Sequence, residues 1–309
     1  RLSSGRRITQ PADDAGGLAV AMKLNHSIQG LSGASKNIGN AISFLQVQDG
    51  ILASAGDIVS RMGELKGLYG DVLKSNSDKA TYDAEFQDLQ GQLFNLALTE
   101  FNGVRLVGDL NDANGDGTAS TGNNFKFGDA TNESDASVTL NVSTSENGSS
   151  GPQVALMQSL LLSAVTITQD TTALTYVTRT GGWDDNATKA AAVGGVAQDG
   201  SFSLASSDTT NAAKVFSLAD VQQGVFSAAL ENVATARAKN GGQVKRLQYA
   251  QADVDSKISN MTAAHGRIMD VDIAAESSNL AKQQILVQAS AAMTAQANSA
   301  NDVALLLLQ

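Results

Sequence analysis

Residues 37–59 read NIGNAISFLQVQDGILASAGDIV. The large apolar side chains Ile38, Ile42, Leu45, Leu52 and Val59 recur at steps of four, three, seven and seven. That spacing is one stripe of a long α-helix, not the alternation of two that a strand needs. A second run follows in Tyr82, Phe86, Leu89, Leu93 and Leu96, again at steps of four and three. Between the two, Ser75–Asp78 supplies a break, with Ser77 or Asp78 as the expected helix N-cap. The pair reads as a helical hairpin. Only Pro11 and Pro152 interrupt 309 residues, so little in the sequence stops a long helix.

Past residue 100 the period changes. Val104, Leu106, NFKFGD and SVTLNVS alternate apolar and polar residues between Gly, Asn and Asp turns, predicting short strands from about Phe101 to about Ser145. VALMQSLLLSAV, residues 154–165, reads equally as helix or buried strand, while LTYVTRT and SFSLAS read as strands separated by Gly-rich loops. Helical periodicity returns from Leu218, with Val233, Val244, Leu247, Val254, Ile258 and Met261 on one stripe. AAHGRIMD, residues 263–270, is expected to interrupt it. A last helix follows with Leu286, Ala289, Met293, Gln296, Ala300, Val303 and Leu307 on one side.

The expected fold is therefore α+β: a long antiparallel helical bundle or coiled coil built from both termini, with a central β-rich region projecting from it. The expected divisions are 1–108 and 217–264 for the two parts of the bundle, 109–216 for the β-rich surface region, and 265–309 for a terminal helix. Hairpins at 109–145 attach the middle to the bundle. Ordering about 35 residues of that last helix costs roughly 1 to 2 kcal/mol each. Its few large apolar side chains return about 1.5 to 3 kcal/mol apiece when buried. It needs another helix to pack against.

Composition removes several function classes. Aromatics are 5% of the chain, and the 42% apolar share is dominated by Ala, Val and Leu, which suit close helix packing. The formal charge is −10, and the acidic excess concentrates between Asp109 and Thr210, which disfavours nucleic-acid binding. There is no Cys, hence no disulfide, thiolate catalysis or Cys-built metal site. The apolar run Val303–Leu308 is far too short to span a membrane, and residues 1–20 lack the build of a secretory signal. His26 and His265 stand far apart without a metalloprotease or nucleophile-elbow motif, so no enzyme is expected. One pattern suggests a metal. In DANGDGTASTGN, Asp112, Asn114, Asp116, Thr118 and Ser120 fall at the ligand spacing of a calcium loop, with Asn123 where a bidentate Glu belongs. No other cofactor is expected.

The chain opens RLSSGRRITQPADDAGGLAVA, polar and turn-rich until a helix begins near Leu18, with Asp13 or Asp14 placed to cap it and Gly16 and Gly17 permitting close backbone approach. The segments RLSSGRRI, DDAGGLAVA and FNGVRL resemble the N-terminal signature of the bacterial flagellin family. ARAKNGGQVKRL, the run NMTAAHGRIMDVDIAAESSNLAKQQILVQASAAMTAQAN and ALLLLQ resemble its C-terminal one. The resemblance covers roughly residues 1–110 and 218–309. It implies a self-polymerising structural subunit of the flagellar filament, exported by the flagellar type III apparatus and placed outside the cell, with terminal helices inward and the middle outward. It implies a further helical segment ahead of Arg1 as the partner of residues 266–309, so that this chain alone is expected to stay monomeric.

The implied partners are other subunits of the same kind, an export chaperone, the filament cap and a Toll-like innate receptor. For that receptor, Arg61, Leu65 and Glu85 match the family's contact residues, and Gly63 stands where a second Arg is usual. Leu286, Ala289, Met293, Ala300, Val303 and Leu307 are the expected assembly residues. Two other readings are a hook-filament junction protein, which shares the terminal patterns, and a surface adhesin or receptor binding a carbohydrate through the middle region.

Overall fold

The computed structural model describes residues 2–108, 139–170, 175–178, 201–206 and 216–307. Three long helices dominate it: α1 at Ala15–Tyr69, α4 at Gln223–Met269 and α5 at Ile273–Leu307. A shorter α2 spans Asn76–Ala97. Between α2 and α4 lie β1 (Glu100–Phe101), β2 (Val104–Arg105), β3 (Thr139–Ser143), β4 (Gln153–Met157), the single turn α3 (Leu161–Ala164), β5 (Thr166–Asp170), β6 (Thr175–Thr178) and β7 (Ser201–Ser203). The α+β class expected from the sequence is the observed one. The chain divides into two compact units, residues 1–33 with 255–309, and residues 34–254.

In the second unit α1 and α4 are antiparallel neighbours, because contacts that climb along α1 descend along α4. Gln251 donates to Ser35 Oγ and Asn240 to Leu45 O at 2.8 Å, while Arg237 donates two bonds to the Asp49 carboxylate. Further along, a Cβ on Gly56 would lie 3.7 Å from Val233, and Gln223 donates to Gly63 O at 3.3 Å. The stripe read from the sequence is the buried seam: Ile38, Leu45, Leu52 and Val59 have no exposure, and Val233, Leu247 and Val254 on α4 are buried with them. Ile42 and Val244 sit half-buried at its edge, and Ile258 and Met261, in the first unit, are half-buried as well. The seven-residue step from Leu45 to Leu52 conceals Gln48, which is 1% exposed and fills the intervening turn.

Of the second stripe, Phe86 and Leu93 close this core, while Tyr82, Leu89 and Leu96 are only half-buried. Phe86, Gln90, Leu93 and Ala97 are the buried positions of α2, and the rings of Phe86 and Phe226 meet edge to face at 6.1 Å. The helix starts at a different residue from those expected. Ser75, not Ser77 or Asp78, is the N-cap, its hydroxyl accepting from Asp78 N at 3.2 Å while the Asp78 carboxylate accepts from Ser75 N at 3.0 Å. Asp78 is the third residue of a capping box, which the sequence disguises because several Ser and Asp crowd together.

The strands form three small antiparallel sheets: β1 with β2, β3 with β4, and β6-β5-β7. Residues 154–165 turn out to be both of the alternatives read from them, strand through Met157 and a helical turn from Leu161. Leu160, Leu161, Val165 and Ile167 are buried there with Leu204, Phe216 and Leu218. Only the last residue of AAHGRIMD, Asp270, interrupts the helix. The helix continues to Met269, and the break falls at Asp270–Asp272.

Candidate functional site: the terminal turn, the exposed helix and the helical hairpin

In the first unit, the turn-rich opening segment is pinned to the break between α4 and α5. Arg7 N donates to Met269 O at 2.7 Å and Val271 N to Gly5 O at 3.1 Å, around an antiparallel bridge between Arg6 and Asp270. Gly5 has a positive φ of 65°, a conformation that favours glycine. Ile8 and Ala21 bury themselves against Met269, with Leu18 and Ile268 packed around them.

The two neighbouring aspartates divide the work. Asp14 caps α1, accepting from Gly17 N at 2.8 Å. Asp13 instead ties the preceding turn, its carboxylate accepting from Thr9 N, Thr9 Oγ1 and Gln10 N at 3.0 to 3.1 Å. The two glycines also differ. A Cβ on Gly17 would overlap the Asp14 carboxylate and meet Ile8 Cδ1 at 3.0 Å, whereas one on Gly16 would be 3.7 Å from its nearest neighbour. Close approach is needed at Gly17 alone.

Helix α5 is capped by Asp272, whose carboxylate accepts from Ala274 N at 2.9 Å and Ala275 N at 3.1 Å. Beyond that cap nothing among the described residues covers it, and residues 277–299 are all exposed. Ile285 is 65% exposed, Leu286 51%, Val287 65% and Met293 71%, and Ala289 is likewise exposed. Ile285, Leu286 and Val287 are consecutive, so they point about 100° apart around the helix. A helix apolar on several faces is one that ends up surrounded. The helix continues through Ala300, Val303 and Leu307.

On the helical hairpin, Arg61 Nε donates to Glu85 at 2.8 Å across α1 and α2, and Arg61 Nη1 to Glu64 at 2.8 Å. The Glu85 bond first, and the Glu64 bond second, raise the guanidinium pKa above its usual value. Exposed pairs of this kind add little stability. The structure thus brings Arg61 and Glu85 together at the surface. Leu65 does not share that surface, despite its i, i+4 spacing from Arg61, because it is fully buried in the seam with Val59 and Met62. Gly63 is inward as well, 3.4 Å from Phe226 Cβ when given a Cβ of its own.

The calcium-loop residues Asp112, Asn114, Asp116, Thr118 and Ser120 lie outside the described residues. Among the described residues no group of three His, Asp or Glu side chains could hold a metal ion, and no helix is long and apolar enough to cross a membrane.

What the sequence reading missed is a set of polar side chains that fasten irregular backbone to the helices. Gln90 donates to Phe216 O and accepts from Phe216 N, Asp83 accepts from Leu218 N at 2.6 Å, and Lys66 donates to Leu218 O at 2.6 Å. Burial lowers the Lys66 pKa, against an opposing pull from Asp220. Gln243 embraces both backbone groups of Met157, Gln48 donates to Leu106 O, and Asn232 donates to Ala164 O. Their only trace in the sequence is a polar residue on an otherwise apolar stripe, as at Gln48 and Gln90.

Comparison with known proteins agrees with this geometry. The pattern of the bacterial flagellin N-terminal helical region matches residues 1–112, and that of the bacterial flagellin C-terminal helical region matches residues 224–308. The flagellin of Bacillus subtilis (strain 168) is 31% identical over 317 residues, spanning 100% of this chain and 91% of that protein. The flagellar filament 33 kDa core protein of Treponema phagedenis is 29% identical, spanning 100% of this chain and 90% of its own length. The flagellin of Listeria monocytogenes serovar 1/2a is 29% identical across 96% of this chain and 86% of its own.

Proposed function

This chain belongs to the bacterial flagellin family, a structural subunit of the flagellar filament, and from that premise we propose that α5 is the surface through which copies of it polymerise. The observation that carries the proposal is the exposure of Ile273, Leu280, Ile285, Leu286, Val287 and Met293 on a 35-residue helix. Burying each such side chain is worth up to about 1.5 to 3 kcal/mol, and only neighbours on several sides reach them all. Leu286, Ala289, Met293, Ala300, Val303 and Leu307 are the residues assigned to this contact. The terminal turn, locked to Met269 and Val271 by backbone hydrogen bonds, holds the start of α5 in place for it.

Residues 109–216 then face outward, and the subunit leaves the cell through the flagellar export apparatus, met by a chaperone on the way and by the cap at the filament tip. The Arg61–Glu85 pair is the part of the receptor epitope that a Toll-like partner would touch, with Leu65 supporting it from beneath. The test of the assembly surface is Leu286→Glu and Met293→Glu in the bacterium that makes the protein. Cells carrying either variant are expected to be non-motile and free of filaments by electron microscopy, while the purified variants keep their far-UV circular dichroism. Filaments of normal length from both variants would refute the assignment.

A further inference from the structure

We propose that one ordered water molecule is built into the base of the middle region, bridging Asn240 Oδ1 on α4 and Ser159 Oγ on the link between β4 and α3. Both residues line the same small cavity of about 30 Å³, alongside Met157, Leu160 and Gln243. That is enough room for a water, which needs roughly 10 to 15 Å³ of such volume and at least two polar partners.

The orientation of Asn240 follows from chemistry. Its residue is 2% exposed, and its Nδ2 donates to Leu45 O at 2.8 Å. A backbone carbonyl accepts only, so the amide cannot be turned over, and Oδ1 is the atom left for the cavity. Asn240 Oδ1 and Ser159 Oγ are both buried without a hydrogen-bond partner among the described residues. Other buried atoms in that condition, such as Gln48 Oε1 and Thr139 Oγ1, belong to residues that do not line this cavity. A water donates to Oδ1 and exchanges a hydrogen bond with Oγ, satisfying both at once.

The place gives the water a role. Gly108 N donates to Ser159 O at 3.0 Å beside a parallel bridge between Val107 and Ser159, and Gln243 grips Met157 just before it. The bridge therefore couples α4 to the backbone at Val107 and Gly108. It is a fastening made through solvent rather than through a side-chain contact.

The test uses the intact protein and the variants Ser159→Ala, Asn240→Ala and their combination. A high-resolution crystal structure of the unaltered protein is expected to show one water within hydrogen-bond distance of both atoms, and the Ser159→Ala structure to lose it. Amide exchange at Gly108 is expected to quicken roughly fivefold in Ser159→Ala, a variant that leaves the Asn240–Leu45 bond intact. The shift in denaturation midpoint of the double variant should be smaller than the sum of the single shifts, because removing either end already releases the water. An unfilled cavity in the crystal, or strictly additive shifts, would overturn the proposal.

Discussion

The two adjacent glycines at the start of α1 give a direct test of how the terminal turn is built. Each Gly in a helix costs up to about 1 kcal/mol relative to Ala, so on propensity alone Gly16→Ala and Gly17→Ala should stabilise equally. The structure separates them. At Gly16 the new methyl lies 3.7 Å from Asp14 Oδ1, an ordinary contact, and the gain of about 1 kcal/mol is realised. At Gly17 it falls on the Asp14 carboxylate and 3.0 Å from Ile8 Cδ1. The carboxylate must turn away from Gly17 N, to which it is bonded at 2.8 Å. Losing an N-cap costs about 0.5 to 2 kcal/mol, which cancels or reverses the gain. The two variants should therefore differ by about 0.5 to 2 kcal/mol. Native-state hydrogen exchange of the amides from Leu18 to Leu24 measures this locally, where about 1.4 kcal/mol appears as a tenfold change in protection. Protection should rise in Gly16→Ala and stay level or fall in Gly17→Ala. Equal rises in both would refute the reasoning.

Phe226→Ala should cost about 3 to 5 kcal/mol in urea unfolding, since the ring is 1% exposed and faces Phe86. A double-mutant cycle with Phe86→Leu should show coupling of about 0.5 to 1.5 kcal/mol. Acid should loosen the start of α2: its bonds to Ser75 lower the Asp78 pKa below the ordinary 3.8. The capping contribution is therefore complete above that pH and lost as pH falls through the lowered value. Exchange of the first α2 amides between pH 5 and 2.5 checks this, and Ser75→Ala should flatten the dependence. Gly242→Ala should raise the midpoint by the equivalent of about 1 kcal/mol, because no atom lies within 4 Å of the added methyl; calorimetry checks it.

The long helices and their inward stripes were legible in the sequence alone. Periodicity is a local property, so the spacing of Ile38, Leu45, Leu52 and Val59 already named the buried face. The lack of cover on the last helix, exposed throughout residues 277–299, agrees with the count of its ordering cost against its apolar content. The tertiary structure decided what depends on residues remote in the chain. It turned Leu65 into the core and left Arg61 beside Glu85, gave Asp13 and Asp14 different partners, and moved the break in the C-terminal helices to Asp270–Asp272. It also put Gln48, Gln90 and Asn240 inside, where each meets a backbone group 58 to 195 positions away. A stripe says which side of a helix faces inward, but the partner waiting there is fixed only when two distant segments come together in one register.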